Sequence, residues 1–328
     1  MSSIAVAPAI NEAVAEEAHR GLTAASKTLA PWLFYDETGS RLFEEITSLP
    51  EYYLTRTERD LFTTHADEIF GLLSDSITIA ELGAGTASKT GILLRALTHL
   101  QPTVLYQPID ISPTALDEAR DLERTIPTLS VRPQIANYIT DPISLEREPG
   151  SKILALYIGS SIGNFSPGEA RAILQNLRGQ LRPGDALLLG TDLAPSRTKS
   201  IATLLAAYND AAGVTAAFNR NILTRLNREL DADFDLDRFT HLARWNAAES
   251  RIEMHLKSSC AQSIRIPANP SIPGLTLRFA PAETIHTENS YKFTPATIAT
   301  LLSESCFTPT RTFTDPQNLF AVTLATAI

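Results

Sequence analysis

The feature that most constrains the fold of this chain is a regular alternation between residues 77 and 192. Short apolar runs of strand length alternate with longer amphipathic stretches that have the period of a helix. The predicted strands are Ile77–Leu82, Val104–Ile111, Val131–Tyr138, Ile153–Gly159 and Asp185–Asp192, and the predicted helices are Ser88–Leu100, Pro113–Glu123 and Pro167–Leu181. Because strands that alternate with helices indicate βαβ units, the sequence predicts a parallel sheet covered by helices.

The remainder of the chain follows a different pattern. Further predicted helices are Asn11–Leu29, Ser40–Ser48, Thr57–Leu73, Thr198–Ala212, Val214–Leu230 and Pro295–Ser305. The segments Phe239–Ala247 and Arg251–Lys257 alternate in polarity, as antiparallel strands with one exposed face do. The chain then finishes in two β-like segments, Pro309–Thr314 and Leu319–Leu324. Since 328 residues exceed what one core usually supports, we expect a larger sheet domain and a smaller α+β domain.

Composition and charge narrow the class of partner. The chain is 44% hydrophobic and 20% charged, carries a net charge of -9, and has no run rich in Lys and Arg, which argues against nucleic acid and anionic membranes. Its apolar runs are too short to span a bilayer, and Met1–Ile10 lacks the features of a signal peptide, so we expect a cytoplasmic protein. Cys260 and Cys306 form no metal-binding motif and the histidines are scattered, so no protein-bound metal is expected.

A glycine-containing loop follows the first predicted strand. It reads Glu81-Leu82-Gly83-Ala84-Gly85-Thr86 and leads into a helix, and its glycines allow a tight turn with close approach of the main chain to a ligand. Ser88 stands where the dinucleotide fingerprint requires a third glycine, which disfavours a dinucleotide oxidoreductase. Glu81 suits the cationic methionine end of S-adenosylmethionine, by direct contact or through the loop, so Glu81, Gly83 and Gly85 are assigned to that cofactor.

Two further strand ends fit the same cofactor. Asp110 ends the second strand, where a carboxylate can accept hydrogen bonds from both ribose hydroxyls; the alternative, a cap for the helix at Pro113, is better served by Ser112. Asn137 and Tyr138 end the third strand, where an amide can bond adenine and a ring can pack on it, although ordinary packing explains such a pair equally well. Together with the terminal hairpin, these positions predict a Rossmann-type class I methyltransferase sheet.

Several segments give a more specific resemblance. They are 34–43 (FYDETGSRLF), 49–58 (LPEYYLTRTE), 159–165 (GSSIGNF), 217–221 (AFNRN), 226–230 (LNREL) and 287–290 (TENS). In this order they closely resemble the L-histidine Nα-methyltransferases of ergothioneine biosynthesis, and the resemblance extends from about Gly21 to Ala321. Members of that family convert histidine to its trimethylated betaine, hercynine, by successive methyl transfers.

The resemblance implies domains and site residues. It implies a methyltransferase domain at 60–196 and 291–328 and a substrate domain at 15–59 and 197–290. It places Gly83, Lys89, Asp110, Asn137 and Tyr138 at the cofactor. It places Tyr35, Tyr52, Asn164, Tyr208, Met254, Glu288 and Ser290 around the amino acid. Because the family usually has Asp-Phe where this chain has Asn137-Tyr138, we expect an altered but functional cofactor site.

The expected chemistry needs little from the protein beyond positioning. Methyl transfer from a sulfonium is an in-line displacement, so we expect no covalent or acid-base catalytic residue, only positioning by Asn164 and Tyr52, with proton loss to solvent or a tyrosine. Glu288 and Ser290, two apart on a strand, can both face one imidazole. A solvated carboxylate is the alternative for Glu288, and core packing is the alternative for Met254.

Other functions stay open from the residues. One is an Nα-methyltransferase for another amino acid, such as tryptophan or tyrosine. A second is a catalytically silent scaffold that binds S-adenosylmethionine without turnover. We expect a monomer whose substrate is a free amino acid, L-histidine.

Overall fold

The computed structural model describes residues 7–73, 75–139, 141 and 143–328. Along the chain the helices are α1 (Ala7–Leu22), α2 (Glu37–Thr47), α3 (Tyr53–Gly71), α4 (Thr90–Thr98), α5 (Pro113–Thr125), α6 (Pro167–Gln180), α7 (Ile201–Ala207), α8 (Val214–Leu230) and α9 (Pro295–Glu304). The strands are β1 (Ile77–Leu82), β2 (Val104–Asp110), β3 (Leu129–Val131), β4 (Gln134–Ile135), β5 (Lys152–Tyr157), β6 (Ala186–Asp192), β7 (Phe239–Asn246), β8 (Arg251–Ser258), β9 (Gln262–Ile266), β10 (Leu275–Phe279), β11 (Thr284–Tyr291), β12 (Phe307–Thr314) and β13 (Phe320–Ala327).

The described residues divide into two units, and the chain passes between them three times. The sheet unit comprises residues 53–200 and 291–328, and the second unit comprises residues 1–52 and 201–290, of which 7–52 are described in the first segment. Domain boundaries were predicted from the sequence at 59/60 and 196/197. The structure divides the chain at 52/53 and 200/201 instead, because Tyr53 already begins α3, which packs on α4 and on the strands β12 and β13.

The sheet unit contains the predicted parallel sheet. Its strand order is β12-β13-β6-β5-β1-β2-β3, with β4 also paired to β2. The central strands run parallel, and β13 runs antiparallel to both β6 and β12. Every residue of β1 and β6 is buried because helices cover both faces of the sheet. The predicted α/β fold, a Rossmann-type sheet of the class I methyltransferases, is confirmed.

Three predicted elements differ in the structure, and one of them, the helix predicted at Thr198–Ala212, is the shorter α7. The strand predicted at Val131–Tyr138 is two short strands, β3 and β4, because Pro133 between them has no N–H group to continue the ladder. The helix predicted to reach Leu29 ends at Leu22. Residues 27 to 29 instead form main-chain hydrogen bonds with β11. The N–H of His286 donates to the carbonyl of Lys27 at 2.9 Å, and the carbonyl of His286 accepts from the N–H of Leu29 at 2.9 Å.

The second unit is built around α8. Its apolar face, with Phe218, Ile222 and Leu226 at spacings of four, is buried. The ring of Phe34 stacks on that of Phe218 with centroids 4.5 Å apart. Strands β11, β8 and β7 form a three-stranded sheet in that order, in which β7 and β8 are antiparallel, and β9 pairs antiparallel with β10. No helix among the described residues has both the length and the apolar character that crossing a membrane requires.

Candidate active site

The loop after β1 forms a main-chain cradle at the carboxyl edge of the sheet. Gly83 and Gly85 have φ of +67° and +52°, a left-handed conformation that side chains oppose. The N–H of Gly83 donates to the carbonyl of Ile109 at 2.8 Å. A Cβ at Gly83 would stand 3.4 Å from the Tyr138 hydroxyl oxygen, whereas one at Gly85 would meet nothing within 4 Å. The structure thus places Tyr138 beside Gly83 and leaves the space beside Gly85 open.

Asp110 closes one side of this cradle. Its carboxylate accepts from the N–H of Gly85 at 3.0 Å and from the N–H of Ser112 at 2.9 Å. Burial raises the pKa of Asp110, and those main-chain hydrogen bonds offset part of the effect. Ser112, not Asp110, caps α5, since its hydroxyl accepts from the N–H of Ala115. The N–H of Ile111 is a third main-chain donor to this carboxylate. A carboxylate has about four acceptor positions, so Asp110 retains capacity for a ribose hydroxyl.

Glu81 supports the loop from beneath. It is buried at the end of β1 and accepts from the hydroxyl of Thr90 at 2.8 Å and from the hydroxyl of Tyr106. Burial raises the pKa of Glu81 to about 7, although those two hydrogen bonds act in the opposite direction. Of the two routes predicted for Glu81, these contacts favour the indirect one, through the loop and the start of α4.

Asn137 and Tyr138, which stand where the family usually has Asp-Phe, each have a polar neighbour in the structure. The side-chain oxygen of Asn137 accepts from the N–H of Ile139 at 3.1 Å, which fixes a turn after β4. The ring of Tyr138 meets that of Tyr157 edge-on at 5.7 Å, and their hydroxyl oxygens are 3.5 Å apart. Tyr157 therefore provides a polar neighbour for the hydroxyl that distinguishes Tyr138 from phenylalanine.

Lys89 is joined to a buried carboxylate that the sequence did not single out. Lys89 forms an ion pair with Glu58 of α3, whose side chain is fully buried. Glu58 also accepts from the N–H of Gly159, just after β5, at 2.8 Å. A Cβ at Gly190 would lie only 2.2 Å from the carboxylate, so a glycine is needed there. Glu58 thus links the Lys89 turn to the loop after β5.

Asn164 lies in that loop, in a short 3-10 turn over Ser161–Asn164. It is half-buried. Ser160, which precedes the turn, has φ of +58°, and the main chain at Gly163 packs so closely on Tyr291 that a Cβ would lie 2.8 Å from its carbonyl oxygen. The position of Asn164 is therefore fixed by the main chain on both sides.

In the second unit, four predicted substrate residues form a continuous series of contacts. The hydroxyls of Tyr208 and Ser290 lie 2.7 Å apart, and the rings of Tyr52 and Tyr208 meet edge-on at 6.3 Å. Phe43 extends the series, with its ring 6.3 Å from that of Tyr52 and 5.8 Å from that of Tyr35. Phe43 was not predicted as a site residue, although it lies in the 34–43 segment on which the resemblance partly rests.

Glu288 and Met254 belong to neighbouring strands. Glu288 is half-buried on β11, and alternation along the strand puts its side chain on the same face as that of Ser290. Thr287 points the other way, where its hydroxyl donates to Asn219 of α8 at 2.7 Å and to the carbonyl of Met254 at 3.1 Å. Met254 is buried in β8, as a residue of either the core or a pocket wall would be.

Fold and site together define a class I methyltransferase that uses S-adenosylmethionine. The space beside Gly85 is open, the carboxylate of Asp110 accepts from the N–H of that glycine, and Lys89 pairs with Glu58, which also bonds the loop after β5. Among the described residues no group of three or more His, Cys, Asp and Glu is arranged to hold a metal ion.

Comparison with known proteins identifies the family. Residues 14–327 match the sequence profile of the S-adenosylmethionine-dependent, histidine-specific methyltransferases, and the chain belongs to this family. It is 41% identical over 315 residues to a histidine N-alpha-methyltransferase of Mycolicibacterium smegmatis, which covers 96% of this chain and 95% of that protein. It is 39% identical over 314 residues to a histidine N-alpha-methyltransferase of Mycobacterium tuberculosis, with 95% and 94% covered. The ergothioneine biosynthesis protein 1 of Neurospora crassa is 31% identical over 213 residues, which are 61% of this chain and 23% of that protein. The predicted resemblance is confirmed.

Proposed function

We propose that this protein methylates the α-amino group of L-histidine with S-adenosylmethionine and forms the trimethylated product hercynine, a step of ergothioneine biosynthesis. The observation that carries this proposal is the match to two histidine N-alpha-methyltransferases over 94% or more of their length. The match therefore includes both units. Tyr208 contacts both Tyr52 and Ser290, and Ser290 lies on the strand that also bears Glu288. These polar groups support a polar amino-acid side chain as the group that the site recognises.

We assign the cofactor to the sheet unit. Gly83 and Gly85 would offer main-chain groups, Asp110 would accept from the ribose hydroxyls, and Asn137 with Tyr138 would hold the adenine. Lys89 would act at the methionine end, held by Glu58, and Glu81 would support the loop. S-adenosylmethionine supplies a methyl group on a positively charged sulfur, so the amine nitrogen forms the new N–C bond as the C–S bond breaks, without a protein nucleophile.

We assign the amino acid to the tyrosines, Asn164 and β11. Asn164 offers both a donor and an acceptor, which suits a main chain that carries an ammonium and a carboxylate. The rings of Tyr35, Tyr52 and Tyr208 would exclude water from the reacting amine. Glu288 and Ser290 would hydrogen-bond the imidazole, with Met254 limiting the space.

The protein's contribution to rate is then mainly geometric. The amine must present a neutral lone pair in line with the methyl group, and holding two reactants in that geometry can supply about 7–11 kcal/mol of the barrier. Asn164 and Tyr52 fix the amine, and its proton leaves to solvent or to a tyrosine hydroxyl. The mono- and dimethylated amines retain a lone pair once deprotonated, so the same residues can serve three transfers.

We further propose that the protein is a cytoplasmic monomer that binds no nucleic acid. The net charge of -9 and the lack of a basic run support the last point. The substrates, free histidine and S-adenosylmethionine, are metabolites of the cytoplasm.

A substrate panel tests the proposed function. The purified chain is incubated with S-adenosylmethionine and, separately, with histidine, its Nα-methyl and Nα-dimethyl forms, tryptophan and tyrosine, and products are identified by mass spectrometry. We expect trimethylhistidine from the first three substrates and the highest kcat/KM with the histidine series. Preference for tryptophan or tyrosine would reassign the substrate. Calorimetric binding of S-adenosylhomocysteine without turnover of any amino acid would indicate a silent scaffold.

A further inference from the structure

A cluster of buried charges surrounds the carboxylate of Asp192, at the end of β6. The side chains of Asp192, Lys199 and Lys292 are all fully buried. One carboxylate oxygen accepts from the Tyr53 hydroxyl at 2.8 Å and pairs with Lys199, and the other pairs with Lys292 at 2.7 Å. Lys199 also donates to the carbonyl of Leu319 at 2.9 Å. We call these four residues, Tyr53, Asp192, Lys199 and Lys292, the Asp192 cluster.

Burying these charges costs free energy that apolar residues in the same place would not cost. Two cations share one carboxylate, and removing charges from water carries a penalty that ion pairs often only balance. Although burial alone would raise the pKa of Asp192, the two lysines hold that pKa below its ordinary value. Burial lowers the pKa of Lys199 to about 8, although Asp192 opposes this. Apolar residues could fill the same space, so stability alone does not account for these charges.

Three members of the cluster lie next to the points at which the chain passes between the two units. The chain passes between the two units at 52/53, 200/201 and 290/291. Tyr53 is the first residue after the first passage, Lys199 lies two residues from the second, and Lys292 is the second residue after the third. All four cluster residues belong to the sheet unit. A single carboxylate therefore holds one side chain from each of the three connections.

The same connections adjoin residues assigned to the amino acid. Tyr52 directly precedes Tyr53, and Ser290 lies two residues before Lys292. The main-chain N–H of Asp192 also donates to the hydroxyl of Ser160 at 2.9 Å, at the start of the loop that bears Asn164. Asp192 thus restrains that loop through its main chain and the three connections through its side chain.

We propose that the Asp192 cluster positions residues of the amino-acid site: its side chains fix the three connections and, through them, Tyr52 and Ser290, while the main-chain N–H of Asp192 restrains the loop that bears Asn164. This inference rests on the proposed function, because it takes these three residues as contacts of the substrate. The cluster residues act through their neighbours in the chain and are positioning residues.

The sharpest test is Tyr53→Phe, which removes one hydroxyl and no charge. We expect kcat/KM for histidine to fall about tenfold, mainly through a higher KM. The affinity for S-adenosylhomocysteine without histidine should change less than about twofold, because the cofactor residues lie outside the cluster. The matched control is Thr78→Val, which removes a buried hydroxyl bonded to Ser151 at 2.8 Å, at the start of β1, and should leave both quantities unchanged.

A second pair of variants addresses the carboxylate. Asp192→Asn is compared with Asp185→Asn, which disrupts another buried aspartate, bonded to Arg147, at the opposite end of β6. Both are expected to lower the melting temperature, but only Asp192→Asn should raise the histidine KM. Lys292→Met leaves Asp192 paired with Lys199 and removes one buried charge. This variant should also raise the histidine KM.

Two results would overturn the proposal. One is an unchanged histidine KM in both Tyr53→Phe and Lys292→Met; the other is an equal loss of affinity for histidine and for S-adenosylhomocysteine. The proposed function is tested separately by the substrate panel on the unaltered protein. If that panel selects another amino acid, the KM of each variant is measured with that substrate. An unchanged KM in both Tyr53→Phe and Lys292→Met would again overturn the role of the cluster.

Discussion

The hydroxyl of Tyr208, just after α7, lies 2.7 Å from the hydroxyl of Ser290 on β11, although 82 positions separate the two residues. Both are buried, with exposed fractions of 6% and 3%. A hydrogen bond between neutral groups in such a place contributes about 1 kcal/mol. It also fixes the direction in which each hydroxyl presents its remaining acceptor or donor to a ligand.

Removing this hydrogen bond should affect the histidine reaction in a non-additive way. We expect Tyr208→Phe and Ser290→Ala each to lower kcat/KM for histidine about tenfold, and the double variant to lose less than the product of the two, because both remove the same contact. Steady-state kinetics of the three variants measures this. Thr312→Val, which breaks a hydroxyl pair with Thr323 in the terminal hairpin, serves as the control. Fully multiplicative losses would show that the two hydroxyls act independently.

Glu288 should determine the choice of histidine. A hydrogen bond to a charged group contributes about 1.5–3 kcal/mol, so Glu288→Ala should lower kcat/KM for histidine by about ten- to 150-fold. Glu283→Gln is a suitable control, since Glu283 precedes the same strand and pairs with Lys27. Near-normal histidine turnover by Glu288→Ala would remove Glu288 from the specificity role.

The Glu58–Lys89 pair should couple cofactor binding to stability. Lys89→Met leaves the buried carboxylate of Glu58 without its cation, and we expect a loss of about 3–5 kcal/mol in the free energy of unfolding. The double variant Glu58→Gln/Lys89→Met should recover much of that loss, while both variants bind S-adenosylhomocysteine more weakly. Denaturant unfolding and calorimetry measure the two effects. Lys152→Met, which breaks a half-exposed pair with Asp75, should cost less than about 1 kcal/mol.

The raised pKa of Glu81 should make stability depend on pH. In the folded protein Glu81 keeps its proton up to a pH of about 7, whereas in the unfolded chain it loses the proton near 4.5. Its contribution is therefore fully present below about pH 4.5 and is lost as the pH rises to about 7, and the total change is about 3 kcal/mol. We expect Glu81→Gln to remove this component. Unfolding free energies of both proteins between about pH 5 and about pH 8 measure it; parallel curves would contradict the prediction.

Gly83→Ala should separate backbone strain from loss of the cofactor site. The left-handed φ of +67° makes any side chain there cost about 1–2 kcal/mol, and the new Cβ would come into contact with Tyr138 in the loop that we assign to the cofactor. Gly150→Ala carries a similar strain, with φ of +79°, but its Cβ would meet nothing within 4 Å. Both variants should lose stability, and only Gly83→Ala should weaken S-adenosylhomocysteine binding, by about tenfold. Equal affinities in calorimetry would count against the cradle.

Elements whose signals are local could be predicted from the sequence. Strands β1, β2, β5 and β6 follow from apolar runs, and the cap of α5 follows from Ser112 directly before Pro113. The glycines of the loop after β1 were expected at a turn, and they adopt the left-handed conformation that only glycine accepts readily.

Side chains that act through distant partners were not predicted. Glu58 reads as an ordinary helix residue, and its importance depends on Gly159 and Gly190, which are more than 100 positions away. Asp192 was recognised only as the end of a strand. Its two lysines and Tyr53 come together through the topology, which no spacing in the sequence reveals.

The position of β13 has a consequence for synthesis of the chain. This strand follows every other strand of the sheet along the chain, yet it lies between β12 and β6. The edge of β6 that pairs with β13 therefore stays unpaired until β13 has been translated and has left the ribosome. A nascent chain is exposed to edge-to-edge aggregation during that interval, and premature termination before β13 would leave the edge open permanently.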